Sequence, residues 1–300
     1  MRIDGRKIAE EIYEQLKKKV SKLKEQRIVP HLVVILIGDD PASAKYVEQK
    51  YKWGTEIGAK VTVLSLSQTI SEQQLIEKVD KLNKDANVHG IIIQRPLPNS
   101  ISSQTIADIV TPQKDVDGFH PDTPFTPPIV LSALRMLEEA RKSGQSSNVI
   151  LSATENPDSR FHENDSNPEF LEWLNTKQIV LIGKGEAGGG PIIEYFKTKL
   201  VPFQVIDSKT ENPDTLTKHA DIIITSVGKP NIVRAANIKP GVILVGIGLY
   251  KKTDGKLAGD YNEEDIQDIT SYYTPSPGGM GPVNVAMLLT NLIKSTRKID

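Results

Sequence analysis

Twice along this chain, short apolar runs alternate with charged segments of helical period, and no other feature limits the possible folds so strongly. In the first series Ile8, Ile12, Leu16, Val20 and Leu23 recur at helical spacing. "HLVVILIG" then reads as a buried strand, and Pro41 to Gly58 as a helix. "KVTVLSL" and "VHGIIIQ" are two further strands, with a helix over Ser71 to Leu82 between them. The second series starts at Gln178: strand "QIVLIG", a helix from Gly189, strand "FQVID", a helix near Leu216, then strands "DIIITSVG" and "VILVGIG". Apolar runs separated by helices require βαβ units, because a parallel sheet buries both faces under its crossovers. The predicted class is α/β in two domains, the second a Rossmann-like, doubly wound nucleotide-binding domain.

Between the series the character changes. From Gln94 to Pro128 the chain is rich in proline, which cannot donate to a sheet ladder, so this is an ordered loop that a helix from about Pro128 to Arg141 follows. Residues of about 144–172 are mostly polar and rich in Asn, Ser, Asp and Pro, and read as an exposed polar insertion, whose Val149-Ile150-Leu151 triplet is a short strand or an anchor. With 37 basic and 38 acidic side chains the net charge is −1, which gives no electrostatic reason to expect nucleic acid or an anionic membrane as partner. No run of about 18 apolar residues is present. The polar amphipathic start "MRIDGRKIAEEIYEQL" has no apolar signal core, so a cytoplasmic location is expected. The absence of cysteine excludes disulfides, thiolate nucleophiles and cysteine-ligated metals. The five histidines show no metal-ligand spacing, so no metal centre is expected.

Several segments carry candidate chemistry. Gly183-Lys184-Gly185-Glu186-Ala187-Gly188 fits G-x-G-x-x-G after a strand and before a helix that opens near Gly189. Such glycines allow a tight turn and close approach of backbone to a pyrophosphate; the same residues also suit a plain turn. Asp207 closes the next strand, where a carboxylate hydrogen-bonds a ribose 2′-hydroxyl and repels a 2′-phosphate, or else merely opens a turn with Ser208. Tyr46 and Lys50 lie at i and i+4 on one helix face, so a phenol and an ammonium can point into one cleft, but the pair by itself reads as a solvated face, where most helical lysines sit. Gln94 ends a buried strand ahead of Pro96 and Pro98, at the strand end where ligands of open α/β sheets gather. "KDVDGFHP" places Asp115, Asp117 and His120 around a glycine, as a site or as an Asx turn.

Taken in order, "IGDDPASAKYVEQK", "IIIQRPLP", "KDVDGFHP" and "TPSPGGMGPVNVAMLL" resemble the bifunctional methylenetetrahydrofolate dehydrogenase/methenyltetrahydrofolate cyclohydrolase family, FolD. The resemblance spans nearly the whole chain apart from the insertion. It implies a folate-binding catalytic domain over 1–125 plus 275–300, a nicotinamide dinucleotide-binding domain over 126–274, a C-terminal helix returning to the first domain, and a homodimer. It also implies oxidation of 5,10-methylenetetrahydrofolate with a nicotinamide cofactor, then hydrolysis of the methenyl product to 10-formyltetrahydrofolate. The alternatives are a monofunctional cyclohydrolase with a degenerate nucleotide site, or a non-catalytic folate- or nucleotide-binding module.

By that resemblance Lys50, Tyr46, Gln94 and Asp117 form the catalytic group. Asp115, Pro96, Leu97, Pro98, Pro277, Gly278 and Gly279 line the substrate. Gly183, Lys184, Gly185, Gly188, Gly189, Asp207, Ser208, Val227 and Gly228 hold the dinucleotide. Against the family's G-R-S-x-x-V-G-x-P loop, Lys184 replaces arginine, Gly185 serine and Gly188 valine; Gly246 replaces an aspartate and Phe125 a cysteine. NADP is the expected cofactor, with NAD possible: Gly185 and Asp207 favour NAD, Lys184 and Ser208 NADP.

Overall fold

The computed structural model describes residues 1–145 and 167–297. Most of the polar insertion, with Val149-Ile150-Leu151, lies outside the described residues. The chain forms two compact units: residues 9–128 with 285–300, and residues 1–8 with 129–284. The sequence-based division at 125/126 and 274/275 therefore differs by three residues at one junction and ten at the other, and residues 1–8 join the second unit. Met1 explains the last point: its carbonyl accepts the Tyr273 N–H at 3.0 Å, and Ile3 donates to the Tyr273 carbonyl at 2.8 Å, so the N-terminus runs beside that strand.

The first unit contains most of α1 (Gly5–Glu25), then β1 (His31–Ile37), α2 (Pro41–Glu56), β2 (Lys60–Leu66), α3 (Glu72–Lys84), β3 (Gly90–Ile93) and α4 (Ser103–Ile109). Its three strands are parallel in the order β2-β1-β3, with Val33 opposite both Thr62 and Ile91. The first strand is thus central, with β2 on one side and β3, reached from β2, on the other. That makes the β1/β3 boundary a topological switch point, where strand-end loops diverge and a crevice opens. Val33, Ile35, Ile91, Ile93, Leu75 and Val79 form the core beneath it. Helix α3 starts in a capping box, Ser71 with Gln74, which satisfies two N–H groups that the helix cannot.

The second unit contains α5 (Pro128–Gln145), α6 (Pro168–Asn175), β4 (Ile179–Ile182), α7 (Gly189–Thr198), β5 (Gln204–Ile206), α8 (Pro213–Thr217), β6 (Ile222–Thr225), β7 (Ile243–Gly246), β8 (Leu249–Lys251), β9 (Leu257–Gly259), α9 (Glu263–Ile266) and β10 (Tyr272–Tyr273). Helix α10 (Met280–Ser295) starts here and ends in the first unit. The five-stranded parallel sheet runs β10-β7-β6-β4-β5. After β4 the chain adds β5 on one side and β6 on the other, so its switch point lies between β4 and β6. The β8–β9 hairpin, β10, α4 and α9 are elements that hydrophobic period does not announce, being only two to seven residues long. Among the described residues no helix is long and apolar enough to cross a membrane, and no group of three His, Asp or Glu stands ready for a metal.

Candidate active site

In the first unit, α2 starts at Asp40, whose carboxylate accepts the Ser43 N–H at 2.7 Å. Its buried positions Ser43, Val47, Lys50 and Gly54 recur every three or four residues, so one face turns inward and Lys50 is on it. A lysine only 6% exposed needs a partner for its ammonium. Lys50 Nζ donates to Gln94 Oε1 at 2.8 Å. Gln94 stands just past β3, at the switch point; its backbone N–H donates to the Ile35 carbonyl at 2.8 Å. Its own Nε2 donates to the Arg95 carbonyl at 2.8 Å, which turns Oε1 towards Lys50.

The lysine's hydrogen-bond partner is thus a neutral amide. Burial lowers the Lys50 pKa below lysine's ordinary value, and the charge of Asp117 opposes that shift. Tyr46, one turn earlier, is 37% exposed as a residue, yet desolvation still raises its phenol. The solvated-face reading of the Tyr46/Lys50 pair therefore fails for Lys50.

The segment carrying Asp117 is pinned on both sides. Lys114 Nζ donates to the carbonyls of Leu82, Asn83 and Asp85 at 3.0, 2.8 and 2.7 Å, covering the C-terminal end of α3. The Asp115 carboxylate accepts the N–H groups of Gly118 at 3.2 Å and His120 at 2.7 Å. Burial pushes Asp115 up to about 6 against the pull of those N–H groups, and the negative charge of Asp117 adds to the rise. Turn and site are one object here: Asp115 ties the loop and Asp117 lines a small cavity with Asp115, Ile91, Ile93, Arg95 and Phe119. The Arg95 guanidinium lies 4.1 Å from the Phe119 ring centroid, a stacked arrangement. Pro96 follows a cis peptide and is exposed, Leu97 packs on the core, and the Pro98 carbonyl accepts the Ile101 N–H at 3.0 Å.

In the second unit, Gly183 leaves β4 with φ +90°, a conformation that favours glycine, and its N–H donates to the Ile206 carbonyl at 2.9 Å. A side chain on Gly188 would overlap the Ser226 hydroxyl, which accepts the Gly189 N–H at 3.1 Å. The glycine loop and the loop after β6 are therefore packed against each other across the switch point, with Val227 and Gly228 in the latter. Gly185 differs: nothing stands within 4 Å of where its Cβ would be, so the family's serine would fit. The glycine-rich turn at a helix start suits a dinucleotide's phosphates.

Lys184 Nζ meets Asp207 Oδ2 at 2.8 Å. That hydrogen bond, with the Lys209 N–H at 2.9 Å, holds the Asp207 carboxyl below its ordinary value. Asp207 directly follows β5 and opens a turn; Ser208 beside it is exposed. Pro277, after a cis peptide, is exposed, Gly278 is half-buried, and the buried Gly279 donates its N–H to Pro275 at 2.9 Å. Gly246 also acquires a reason: a Cβ there would stand 2.7 Å from the ring of Tyr261, whose hydroxyl donates to the Thr274 carbonyl. Sequence reasoning passed over Lys114, Ser226, Tyr261 and Asp260. The available signal was "KLAGDY", a lone acid beside short apolar residues.

Comparison with known proteins finds a match for each unit. Residues 3–117 match the family model of the tetrahydrofolate dehydrogenase/cyclohydrolase catalytic domain, and residues 171–300 that of its NAD(P)-binding domain. A bifunctional protein FolD of Bacillus anthracis is 37% identical over 296 residues, which is 99% of this chain and 96% of that protein. The crystal structure of FolD from Campylobacter jejuni, a methylenetetrahydrofolate dehydrogenase/cyclohydrolase, superposes with a TM-score of 0.84 at 33% identity, covering 98% of each chain. The Trypanosoma brucei FolD structure, complexed with NADP and an inhibitor, gives a TM-score of 0.80 at 25% identity over 98% of this chain and 96% of that one. Two matched domains in the expected order and a relative of this identity over nearly the full length place the chain in the tetrahydrofolate dehydrogenase/cyclohydrolase family.

Proposed function

We propose that the protein oxidises 5,10-methylenetetrahydrofolate to the methenyl cation, with a nicotinamide dinucleotide as hydride acceptor, and hydrolyses that cation to 10-formyltetrahydrofolate. The observation that carries this reading is the buried Lys50–Gln94 hydrogen bond with Asp117's charge acting on it. Hydrolysis needs a base as water adds to the methenyl carbon and a proton donor as the ring nitrogen leaves. Lys50, its pKa lowered by burial, takes one proton from the attacking water; the ammonium so formed returns it to the departing nitrogen, and as that C–N bond breaks the adduct's hydroxyl proton is released to solvent and the formyl C=O forms. Gln94 Oε1 stabilises the charged form of the amine and aims it, and Tyr46 sits one turn away on the same helix. Asp117 accepts hydrogen bonds from the pterin's amino and ring N–H groups, and Pro96, Leu97 and Pro98, on the loop after β3, shape the pocket around the substrate.

Oxidation asks less of the side chains, since the adjacent nitrogens stabilise the cation that forms; the requirement is orientation of the two rings. Gly183, Gly188 and Gly189 supply the phosphate turn, Val227 and Gly228 flank it, and Lys184 with Ser208 receives the 2′-phosphate of NADP. The reading includes a cytoplasmic homodimer, the assembly following the family resemblance. Purified protein given methylenetetrahydrofolate with NADP or NAD, followed at the nicotinamide and methenyl absorbances, tests both activities; failure to reduce either dinucleotide removes the dehydrogenase half.

A further inference from the structure

Asp260 is completely buried and lies just past β9, on no element that the proposed chemistry uses. Its Oδ2 accepts the Thr225 hydroxyl at 2.8 Å and the Val227 N–H at 3.0 Å. Its Oδ1 accepts the N–H groups of Gly228 at 2.6 Å and Lys229 at 2.9 Å. One carboxylate thus collects three consecutive backbone donors and the hydroxyl that ends β6. Burying a charge is costly unless every lone pair is used, and here four donors use them. The Thr225–Lys229 stretch cannot make those bonds within the sheet, because β6 ends at Thr225. Gly228 needs φ +72°, and a side chain on Gly248 would overlap both Asp260 and the Gly228 N–H, so the acid fits a space kept clear for it.

The same stretch forms one wall of the β4/β6 switch point. Ser226 takes the Gly189 N–H at 3.1 Å, and a Cβ on Gly183 would lie 2.6 Å from the Ser226 carbonyl. Displacing the loop after β6 therefore moves the surface against which the glycine turn rests. We propose that Asp260 is a positioning residue for the dinucleotide, holding the Val227–Lys229 loop in the shape that accepts it without touching the dinucleotide itself. This rests on the reading of that crevice as a nicotinamide dinucleotide site.

The test is Asp260→Asn, which keeps the size but replaces one acceptor oxygen with a donor facing donors. NADP affinity by titration calorimetry and KM for NADP should weaken by roughly tenfold, with kcat at saturating NADP reduced far less. Direct hydrolysis of methenyltetrahydrofolate should stay within about twofold of the parent, because no bond of Asp260 reaches the Lys50 group. Thr225→Val, which removes a single donor, should show the same KM-against-kcat pattern at about two- to fivefold and serves if Asp260→Asn fails to fold. Unchanged NADP affinity in a folded variant, or equal loss of both activities, overturns the role. A parent that binds NADP without turnover counts against the proposed dehydrogenase alone; a parent that binds no dinucleotide overturns both.

Discussion

Lys50 Nζ lies 2.8 Å from Gln94 Oε1, and the glutamine is itself held by its second bond to the Arg95 carbonyl. The amine therefore has a fixed direction and a neutral hydrogen-bond partner, in a site where burial disfavours its charge. A carboxylate in the glutamine's place would have locked the proton on.

Lys50→Ala should lower the rate of methenyltetrahydrofolate hydrolysis by roughly 10²–10⁴-fold, the usual worth of a positioned acid–base group. A stopped-assay of methenyl decay beyond the spontaneous rate measures it. Near-parental hydrolysis in that variant would remove Lys50 from the mechanism.

The pH profile follows from the same group. A base must be neutral, so hydrolysis should rise with pH through the Lys50 pKa, which burial places below lysine's ordinary value. Asp117 raises that pKa, so neutralising it makes the ammonium easier to lose. In Asp117→Asn the rising limb of kcat should therefore shift to lower pH, even as KM for folate increases. A limb that stays put or moves upward contradicts the electrostatic link.

Lys184 cannot serve Asp207 and a 2′-phosphate equally well, since the 2.8 Å pair already engages its ammonium. Asp207→Ser should shift the NADP-over-NAD ratio of kcat/KM towards NADP, and Lys184→Ala towards NAD, each by roughly two- to fivefold as befits exposed charges. Steady-state kinetics with both dinucleotides decides. Matching shifts in one direction would show that the pair does not set the preference.

Asp115 makes stability depend on pH. Its folded pKa of about 6 lies above the ordinary 3.8, so the folded state holds a proton that the unfolded chain has released between those values. The folded state is favoured by this group below about pH 4, and that contribution is lost as pH rises through about 6. Two units correspond to about 3 kcal/mol at most. Asp115→Asn does not titrate, so urea unfolding should show the variant gaining on the parent between pH 4 and 7.5. A constant difference would mean that Asp115 has an ordinary pKa.

Alternating apolar runs and helical periods were enough to reveal both parallel sheets, because a strand buried on two faces must be apolar at nearly every position: Leu32 to Ile35 and Ile222 to Ile224 show it. The elements that escaped are the ones whose stability is borrowed. The β8–β9 hairpin and the two-residue β10 have too few positions to display a period. The family's motifs likewise stand in the linear sequence, and they account for Lys50, Gln94 and Asp117 by number.

Partnership was not legible. Nothing in "YVEQK" says that the lysine turns inward, since i and i+4 define a face without saying what covers it; burial against the sheet decides that. Gly246 reads as a loss until Tyr261, fifteen positions on, is seen to fill its space. Asp260 reads as one acid among thirty-eight until the chain folds three N–H groups around it. Sequence by itself determined the class, the alternation of the longer strands and helices, and the family, because periodicity and motifs are properties of neighbours along the chain. Only the tertiary structure decided which charges are buried, paired or held neutral, because desolvation and hydrogen bonding depend on residues brought together from distant positions.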